Sequence, residues 1–321
     1  MKTKMKTDTT SNPGPLMRAL FTALLAIAAL FAAPAAARAG IMYVSSQPHG
    51  GGNGYIDKVT SAGVASHFAT LPFPANPLGL AFDTSGNLYA ADANPGQIDK
   101  ITPGGAVSLF ATVGPSFNLS GLAIDISGNL FVSDAGTDQI SKITSVGAVS
   151  IFANLPGGSN PSGLAFDSSG NLYVADTNTS TISKITGAGV VSLFATLSGG
   201  SAPFGLAFDG SGNLYAAQNG TSQISKITSG GAVSLFATLP GGSNVLGLAY
   251  DSSDGSFYAA ENVTDTISKI SADGLTVSAF STGVTLPRFI AFAPVPEPGT
   301  ALFGIACVGV AALRRRRNSA V

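Results

Sequence analysis

The sequence of 321 residues predicts an all-β protein, a β-propeller of six blades with four antiparallel strands in each blade. Three observations support this prediction. A unit of 42 residues recurs along the chain, each unit contains four short β-rich segments, and the last segment supplies a strand that the first unit lacks. A fixed repeat of this length is typical of repeat architectures, and four strands per repeat are typical of a propeller blade.

The repeat is visible in two phrases that keep their register. The first phrase reads GLAFDTSGNLYAAD from Gly79, and related phrases begin at Gly121, Gly163, Gly205 and Gly247. The second phrase, of the type QISKI, occurs six times and carries Lys58, Lys100, Lys142, Lys184, Lys226 and Lys269. Six lysine phrases indicate six units.

Each unit contains the segments expected of one blade. In the fourth unit the four β-rich segments are GLAF, NLYVA, TISKI and VVSLFA, separated by DSSG, DTNTS and TGAG. Asp, Ser, Asn and Gly in these gaps favour turns, and the first gap is short enough for a hairpin. Apolar residues fall on both faces of the strands, as expected for a blade packed between two neighbours.

The first unit lacks its first strand. It begins with Ile41-Met42-Tyr43-Val44, which matches the second strand of the other units, and the missing strand is supplied by residues 289–293, 42 residues after the unit that begins at Gly247. The C-terminal strand therefore completes the first blade. Closing the ring in this way removes edge strands that would otherwise be exposed.

The N-terminal residues 1–39 predict a secretory signal peptide. Basic residues between positions 2 and 18 precede an apolar run over 19–33, and Ala37-Arg38-Ala39 then offers the small-residue pattern that signal peptidase cleaves. Met17 is an alternative start, and a retained N-terminal anchor is the alternative to cleavage. Cleavage after Ala39 would leave residues 40–294 as the propeller domain of an exported protein.

The C-terminal residues 295–321 form a second membrane-directed segment. An apolar run over 301–313 predicts a helix about 20 Å long, shorter than the roughly 30 Å hydrocarbon core of a membrane. It lies between a proline-rich motif and an arginine cluster, which together comprise Pro296, Glu297, Pro298, Arg314, Arg315, Arg316 and Arg317. This order resembles the PEP-CTERM sorting tail of Gram-negative bacteria.

The resemblance implies a transient anchor in the inner membrane and cleavage by an exosortase-type protease. The protein would then reach the cell surface or the exopolysaccharide matrix. The alternative is a permanent transmembrane anchor, since local thinning of the bilayer accommodates a short helix.

The charge of the chain divides unevenly between its ends and its centre. The formal net charge is −1, but residues 40–295 carry seven Lys and Arg and fifteen Asp and Glu, a net charge of −8. An acidic domain argues against a nucleic-acid partner, which requires a basic face. The single cysteine, Cys307, excludes an internal disulfide.

The repeat also resembles a known family. GLAFDSSGNLYVADTNTSTISKIT, residues 163–186, is similar to the NHL repeat, and the similarity extends over all six units. The resemblance implies the six-bladed propeller fold. It does not specify one function, because propellers of this kind serve as binding modules, lyases and lactonases.

The candidate ligand or cation residues follow the second strand of each unit. We expect them in a loop on one face of the disc, where the acidic members would bind Ca²⁺ or another divalent cation through oxygen ligands. The alternative is that each aspartate caps its own turn. The set comprises Ser46, Asp92, Asp134, Asp176, Gln218 and Glu261, with His49 in a glycine-rich loop on the same face.

Other polar residues have structural interpretations. We expect the aspartates of the first hairpin in each unit, of which Asp167 is one, to cap those turns. The lysine column is interpreted as a solvated strand face, or alternatively as basic contacts for an anionic polysaccharide. His67 is expected to be half-buried on the outer strand, and Arg288 to pair with a neighbouring acid.

The leading functional hypothesis is a surface-sorted, non-enzymatic propeller that binds a polysaccharide or a protein partner, or that acts as a spacer in the matrix. No catalytic residue is predicted, because the chain shows no nucleophile, base and metal set placed once among unlike neighbours. No cofactor is predicted, and a divalent cation remains the open possibility. The alternative hypothesis is a propeller enzyme of lactonase or lyase type with a divalent cation at the central face.

Overall fold

The computed structural model describes residues 40–294, apart from residue 73 and residues 115–117. The expected signal peptide, residues 1–39, and the expected sorting tail, residues 295–321, lie outside the described residues. Within the described part of the chain, no helix has the length and the apolar character needed to cross a membrane.

The described residues form six separate sheets of four antiparallel strands, which confirms the six-bladed propeller. Blade 1 contains β1 (Met42–Ser46), β2 (Tyr55–Val59), β3 (Ala65–Thr70) and β24 (Ile290–Phe292). Blade 2 contains β4 (Pro77–Phe82), β5 (Leu88–Asp92), β6 (Gln97–Ile101) and β7 (Val107–Thr112). Blade 3 contains β8 (Leu119–Ile124), β9 (Leu130–Asp134), β10 (Gln139–Ile143) and β11 (Val149–Asn154).

The other three blades repeat the same order. Blade 4 contains β12 (Pro161–Phe166), β13 (Leu172–Asp176), β14 (Thr181–Ile185) and β15 (Val191–Thr196). Blade 5 contains β16 (Pro203–Phe208), β17 (Leu214–Gln218), β18 (Gln223–Ile227) and β19 (Val233–Thr238). Blade 6 contains β20 (Val245–Tyr250), β21 (Phe257–Glu261), β22 (Thr266–Ile270) and β23 (Val277–Ser281).

The inner strands β24, β4, β8, β12, β16 and β20 form a ring in which each strand contacts the inner strands of the two adjacent blades. In blades 2–6 the chain runs outward from the inner strand through the second and third strands to the outer strand. The second strands are buried along their whole length. The core therefore lies between the blades, as the apolar residues on both strand faces predict.

The closing strand lies where the repeat predicts it. β24 pairs with β1 in antiparallel register, with Ala291 opposite Tyr43 and Ile290 opposite Val44. Ser45 strengthens the join, because its carbonyl oxygen accepts from the Arg288 N–H at 2.9 Å and its Oγ accepts from the Phe289 N–H at 3.0 Å. The regular strand covers 290–292, slightly less than the predicted 289–293.

Glycines allow neighbouring inner strands to approach closely. A methyl group on Gly163 would lie 2.1 Å from the Phe204 carbonyl oxygen of the next blade, and one on Gly121 would lie 2.2 Å from the Ser162 carbonyl oxygen. Gly79, Gly205 and Gly247 meet the next inner strand in the same way. These positions require glycine because backbone packs directly against backbone.

Aromatic residues fill the space between blades in a repeated arrangement. The Tyr173 ring lies 4.8 Å from the Phe194 ring and 5.2 Å from the Phe208 ring, measured between centroids, in edge-to-face geometry. The ammonium group of Lys184 lies 5.4 Å from the Tyr173 centroid. Lys100, Lys142, Lys226 and Lys269 occupy equivalent positions over aromatic rings. The lysine column is therefore partly engaged in cation–π contacts.

The aspartate at the first hairpin of blade 4 caps its turn, as predicted. In blade 4 Asp167 Oδ1 accepts from the Ser169 N–H at 2.9 Å and the Asn171 N–H at 2.8 Å. Asp167 Oδ2 accepts from Asn171 Nδ2 at 2.8 Å and from the Tyr173 hydroxyl at 3.3 Å. Burial opposes ionisation, but these hydrogen bonds outweigh it and lower the pKa of Asp167. The turn explanation is sufficient for this aspartate.

Candidate functional site

The structure places the predicted ligand residues differently from the expected loop. Ser46, Asp92, Asp134, Asp176, Gln218 and Glu261 are each the last residue of a second strand, and all six are buried. The prediction that they lie in the loop after the second strand is wrong. The physical reason is that in blades 2–6 each of these side chains forms a hydrogen bond within its own blade, so that the residue stays in the strand.

The acidic members do not gather into one site. Among the described residues, no three side chains of the His, Cys, Asp and Glu types lie close enough together to hold a metal ion. Each carboxylate belongs to a different blade. A cation bound by the whole ring is therefore not supported by this geometry.

In blades 4–6 the strand-end side chain bonds to hydroxyl groups on and before the third strand. Asp176 Oδ2 accepts from Ser183 Oγ at 2.6 Å and from Thr181 Oγ1 at 3.2 Å. Glu261 Oε1 accepts from Ser268 Oγ, and Glu261 Oε2 accepts from Thr264 Oγ1 at 3.2 Å. A serine on the third strand is thus the usual partner of this position.

Blade 5 has an amide in place of the carboxylate. Gln218 Nε2 donates to Ser225 Oγ, and Gln218 Oε1 accepts from Thr221 Oγ1 at 2.8 Å. The neutral side chain therefore satisfies the same environment without a charge. This blade provides an internal comparison for the carboxylates of the others.

In blades 2 and 3 the aspartate caps its turn, as the alternative interpretation predicts. Asp92 Oδ1 accepts from the Asn94 N–H at 3.2 Å and, more closely, from the Asn76 N–H at 2.6 Å. Asp134 Oδ1 accepts from the Gly136 N–H at 2.9 Å. Turn capping accounts for one oxygen of each of these carboxylates.

Sequence reasoning missed the residue that faces these side chains from the third strand. That residue is a serine in blades 3–6 but an aspartate in blades 1 and 2, where it is Asp57 or Asp99. The signal was present in the second phrase, which reads YIDKV and QIDKI in the first two units and QISKI or TISKI afterwards. In blade 1 these two positions are occupied by Ser46 and Asp57, whereas in blade 2 both are occupied by an aspartate.

Burial raises the pKa of several of these carboxyl groups. The pKa of Asp92, of Asp99 and of Asp176 is raised to about 6, with loss of solvation as the largest cause in each case. Among the described residues, Asp92 Oδ2 and Asp176 Oδ1 are buried and have no hydrogen-bond partner. These two oxygens are the strongest indications of an unmet interaction.

The two histidines lie in blade 1, and both side chains are exposed. His49 Nε2 lies 2.8 Å from Asp265 Oδ2, which joins the loop after β1 to the hairpin between β21 and β22. His67 Nε2 lies 2.9 Å from Thr70 Oγ1. The expectation that His67 is half-buried is wrong, because its side chain projects outward from β3, the outer strand of the blade.

Arg288 lies beside the closing strand and departs from its expected role. Its Nη2 donates to Gln47 Oε1 at 2.8 Å. The two ion pairs formed by the described residues are His49–Asp265 and Lys269–Asp254. Arg288 takes part in neither, so the expectation that it pairs with a neighbouring acid is wrong. Phe289 directly precedes the closing strand of blade 1, and Phe204 lies in the inner strand of blade 5. Their ring centroids are 5.6 Å apart, although blade 6 lies between these two blades in the ring.

A groove of about 610 Å³ lies between blades 3 and 4. It combines a buried carboxylate with hydroxyl groups and an exposed aliphatic side chain, and its lining includes Pro156, Asp176, Thr179, Thr181, Ser192 and Leu193. Leu193 is 66% exposed, which makes it available to a ligand. A related groove of about 700 Å³ between blades 2 and 3 includes Asp134, Ser141, Ser150 and Ile151.

Comparison with known proteins supports the fold. The NHL repeat model matches residues 159–185, and no curated protein matches the chain. The solved nidogen/laminin complex contains a chain with 21% identity, covering 79% of this chain and 99% of that one at a TM-score of 0.67. A streptogramin B lyase has 18% identity, covering 81% of this chain and 92% of its own at a TM-score of 0.62.

A third similar structure is a gluconolactonase from Xanthomonas campestris, with 18% identity over 67% of this chain and 76% of its own, at a TM-score of 0.54. At these identities the similarity shows the fold alone. The structure and the comparisons therefore describe a six-bladed β-propeller with an NHL repeat at residues 159–185.

Proposed function

We propose that the propeller is a saccharide-binding protein and that the groove between blades 3 and 4 is its binding subsite. The observation that carries this proposal is Asp176 Oδ1, a buried carboxylate oxygen that has no hydrogen-bond partner among the described residues and belongs to a groove-lining side chain. A ligand hydroxyl would donate to this oxygen and satisfy it.

The rest of the groove matches a sugar ring. Thr179, Thr181 and Ser192 provide hydroxyl groups that both donate and accept, and Leu193 and Pro156 provide an apolar surface for the C–H face of the ring. A volume of about 610 Å³ lies within the roughly 300–1,000 Å³ usual for small-molecule sites. The carboxylate and the acidic domain favour a neutral or amino-substituted saccharide over a uronic acid.

The two ends of the chain support an extracellular setting for this function. The signal-peptide pattern of residues 1–39 and the PEP-CTERM-like pattern of residues 295–321 favour export with cleavage by signal peptidase, followed by sorting with an exosortase-type protease. The ligand would then be a polysaccharide of the cell surface or the exopolysaccharide matrix of a Gram-negative bacterium. Protease treatment of intact cells, followed by detection of the propeller, tests this location.

The binding proposal is tested with a matched pair of variants on the outer strands. Leu193 and Leu235 occupy equivalent positions in blades 4 and 5 and are 66% and 61% exposed, but only Leu193 lies beside an unpartnered carboxylate oxygen among the described residues. We expect Leu193→Ala to weaken binding by about tenfold, equivalent to about 1.4 kcal/mol, and Leu235→Ala to change it less than about twofold.

The measurement is isothermal titration with three trisaccharides, namely laminaritriose, a glucosamine trimer and a galacturonate trimer. Binding of one of the first two, weakened only by Leu193→Ala, supports the proposal. Absence of binding to all three, preferential binding of the galacturonate trimer or an equal effect of both variants would contradict it.

A second candidate function is enzymatic. Two of the similar structures are named as a streptogramin B lyase and a gluconolactonase, and they are the ground for keeping the enzymatic alternative predicted from the sequence. The described residues that suit acid–base chemistry are His49 and Asp265, because a carboxylate 2.8 Å from an imidazole orients it as a base. The pair lies where blade 6 meets blade 1.

Incubation with a streptogramin B or with glucono-1,5-lactone, in the presence of Mg²⁺, tests this candidate. An enzyme would release the ring-opened product, detected by mass spectrometry, and His49→Ala would reduce the rate at least about 100-fold if the imidazole is the base. No product above the uncatalysed background removes the candidate for these two substrates. Product formation that is unchanged in His49→Ala removes the assigned role of the pair.

A further inference from the structure

Blade 2 differs from the other blades at one buried position. Asp92 closes its second strand, and Asp99 stands on its third strand where blades 3–6 have a serine. Both aspartates are 0% exposed. Among the six blades, blade 2 is the one in which two buried carboxylates occupy the strand-end position and its facing position, so the pair is not a requirement of the repeat.

The strand register brings the two carboxylates to the same face of the sheet. Asp92 lies opposite Gln97, and Ala90 lies opposite Asp99. Side chains two residues apart on one strand share a face, so Asp92 and Asp99 are diagonal neighbours across β5 and β6.

No cationic side chain among the described residues compensates this pair. The ion pairs formed there involve His49 with Asp265 and Lys269 with Asp254. Lys100, the neighbour of Asp99 in sequence, points to the other face, where its ammonium group lies 5.6 Å from the Tyr89 centroid. Two buried anions without a cation are costly.

The remaining polar contacts of the pair are incomplete. Gln97 Nε2 lies 3.3 Å and 3.5 Å from the two oxygens of Asp99, distances typical of weak hydrogen bonds. Asp92 Oδ2 is buried and has no hydrogen-bond partner among the described residues. Asn76 Oδ1 is also buried without a partner in that part of the chain, and Asn76 adjoins Asp92 through the 2.6 Å bond from its N–H to Asp92 Oδ1.

We propose that blade 2 holds one divalent cation of the Ca²⁺ type, bound by Asp92, Asp99 and Asn76 Oδ1. Two carboxylates and an amide carbonyl are the hard oxygen ligands that Ca²⁺ prefers, and water completes its usual six to eight ligands. Only two ligands are carboxylates, so the site is consistent with the absence of three-membered His, Cys, Asp and Glu clusters from the described residues. The site is independent of saccharide binding between blades 3 and 4.

The other blades provide the variant that tests the site. Asp99→Ser restores the residue found in blades 3–6, where serine faces the strand end in a stably folded environment. Glu261→Gln is the control, because it removes a buried carboxylate from blade 6 and leaves blade 2 unchanged. The full-length chain, purified in detergent and freed of metal with EDTA, is titrated with CaCl₂ by calorimetry, and its Tm is measured with and without Ca²⁺.

We expect one equivalent of Ca²⁺ to bind the unmodified chain and the Glu261→Gln variant, with a rise in Tm for both. Asp99→Ser is expected to weaken binding at least about 100-fold and to abolish the Ca²⁺-dependent rise in Tm. No binding to the unmodified chain, or binding that Asp99→Ser leaves unchanged, overturns the proposal. Absence of a Ca²⁺-dependent rise in Tm for the unmodified chain also overturns it.

Discussion

Replacing Gly163 with alanine is expected to destabilise the propeller by about 3 kcal/mol or more. The added methyl group would lie 2.1 Å from the carbonyl oxygen of Phe204 and 3.1 Å from the Cα of Gly205, both in the inner strand of the next blade. Overpacking of a tight interior costs roughly 1–3 kcal/mol, and more where the obstacle cannot move aside. Here the obstacle is backbone, so relief requires two blades to separate.

Separation of two blades has consequences beyond the site of the change. Each inner strand contacts the inner strands on both sides, so a wider spacing at Gly163 strains the other contacts of a closed ring. The expected result is a fall in Tm of roughly 10 °C, at roughly 2–4 °C per kcal/mol for a domain of this size. Thermal unfolding followed by far-ultraviolet circular dichroism measures it, since the chain has no tryptophan.

Gly187→Ala is the matched control for this measurement. Gly187 lies in the same blade, and an added methyl group would meet no described atom within 4 Å. Its replacement is expected to change the free energy of unfolding by less than about 1 kcal/mol in either direction. Similar losses for both variants would show that the close approach of the inner strands is not the reason for glycine at residue 163.

Closure of the ring could be predicted from the sequence because the repeat units and their strands can be counted. The first unit starts at its second strand, and the missing strand appears 42 residues after the unit that begins at Gly247. The structure pairs Ile290 with Val44 and thereby confirms the assignment. The strand bounds were less accurate, since Ser45 extends the join beyond the regular ladder, through its carbonyl oxygen at Arg288 and through its Oγ at Phe289.

The candidate site was predicted only in part. Residues such as Asp176 were recognised from their equivalent positions, but periodicity along one strand does not show which residue faces them from the next strand. The partner Ser183 follows seven positions later, beyond a tight turn, and the pairing register alone brings the two together. Burial also depends on the adjacent blade, which the sequence of one repeat does not contain.

Asp99 illustrates why the symmetry of the repeat hid a local difference. The lysine phrases share a common pattern, in which the change from serine to aspartate in QIDKI is a single residue. In the fold it adds a second buried charge beside Asp92. A deviation from a repeat becomes informative once the structure shows that its position is buried and what it faces.

The carboxylate of Asp176 lowers stability at neutral pH. Burial raises its pKa from the usual value of 3.8 to about 6, so the folded protein binds a proton there more tightly than the unfolded chain does. The contribution of Asp176 to stability is therefore highest below about pH 4, decreases as the pH rises from about 4 to about 6, and stays reduced above that range. The shift corresponds to a loss of about 2–3 kcal/mol at neutral pH.

Asp176→Asn is expected to remove this loss, and Gln218 in blade 5 shows that an amide satisfies the same hydroxyl environment. Urea unfolding should give similar free energies for the variant and the unmodified chain at pH 4, and a variant more stable by about 2 kcal/mol at pH 7.5. Gln218→Glu, the reverse change, should introduce a pH-dependent loss in blade 5. A variant less stable than the unmodified chain at pH 7.5 would show that the carboxylate stabilises the fold.

The same substitution separates the stability of the fold from the proposed binding function. If Asp176 Oδ1 accepts a saccharide hydroxyl, Asp176→Asn replaces an ionised acceptor with a neutral amide and should weaken binding about tenfold while the protein becomes more stable at pH 7.5. A purely structural carboxylate predicts higher stability with unchanged binding. Gain of stability together with loss of affinity is expected of a buried charge that is retained for its ligand.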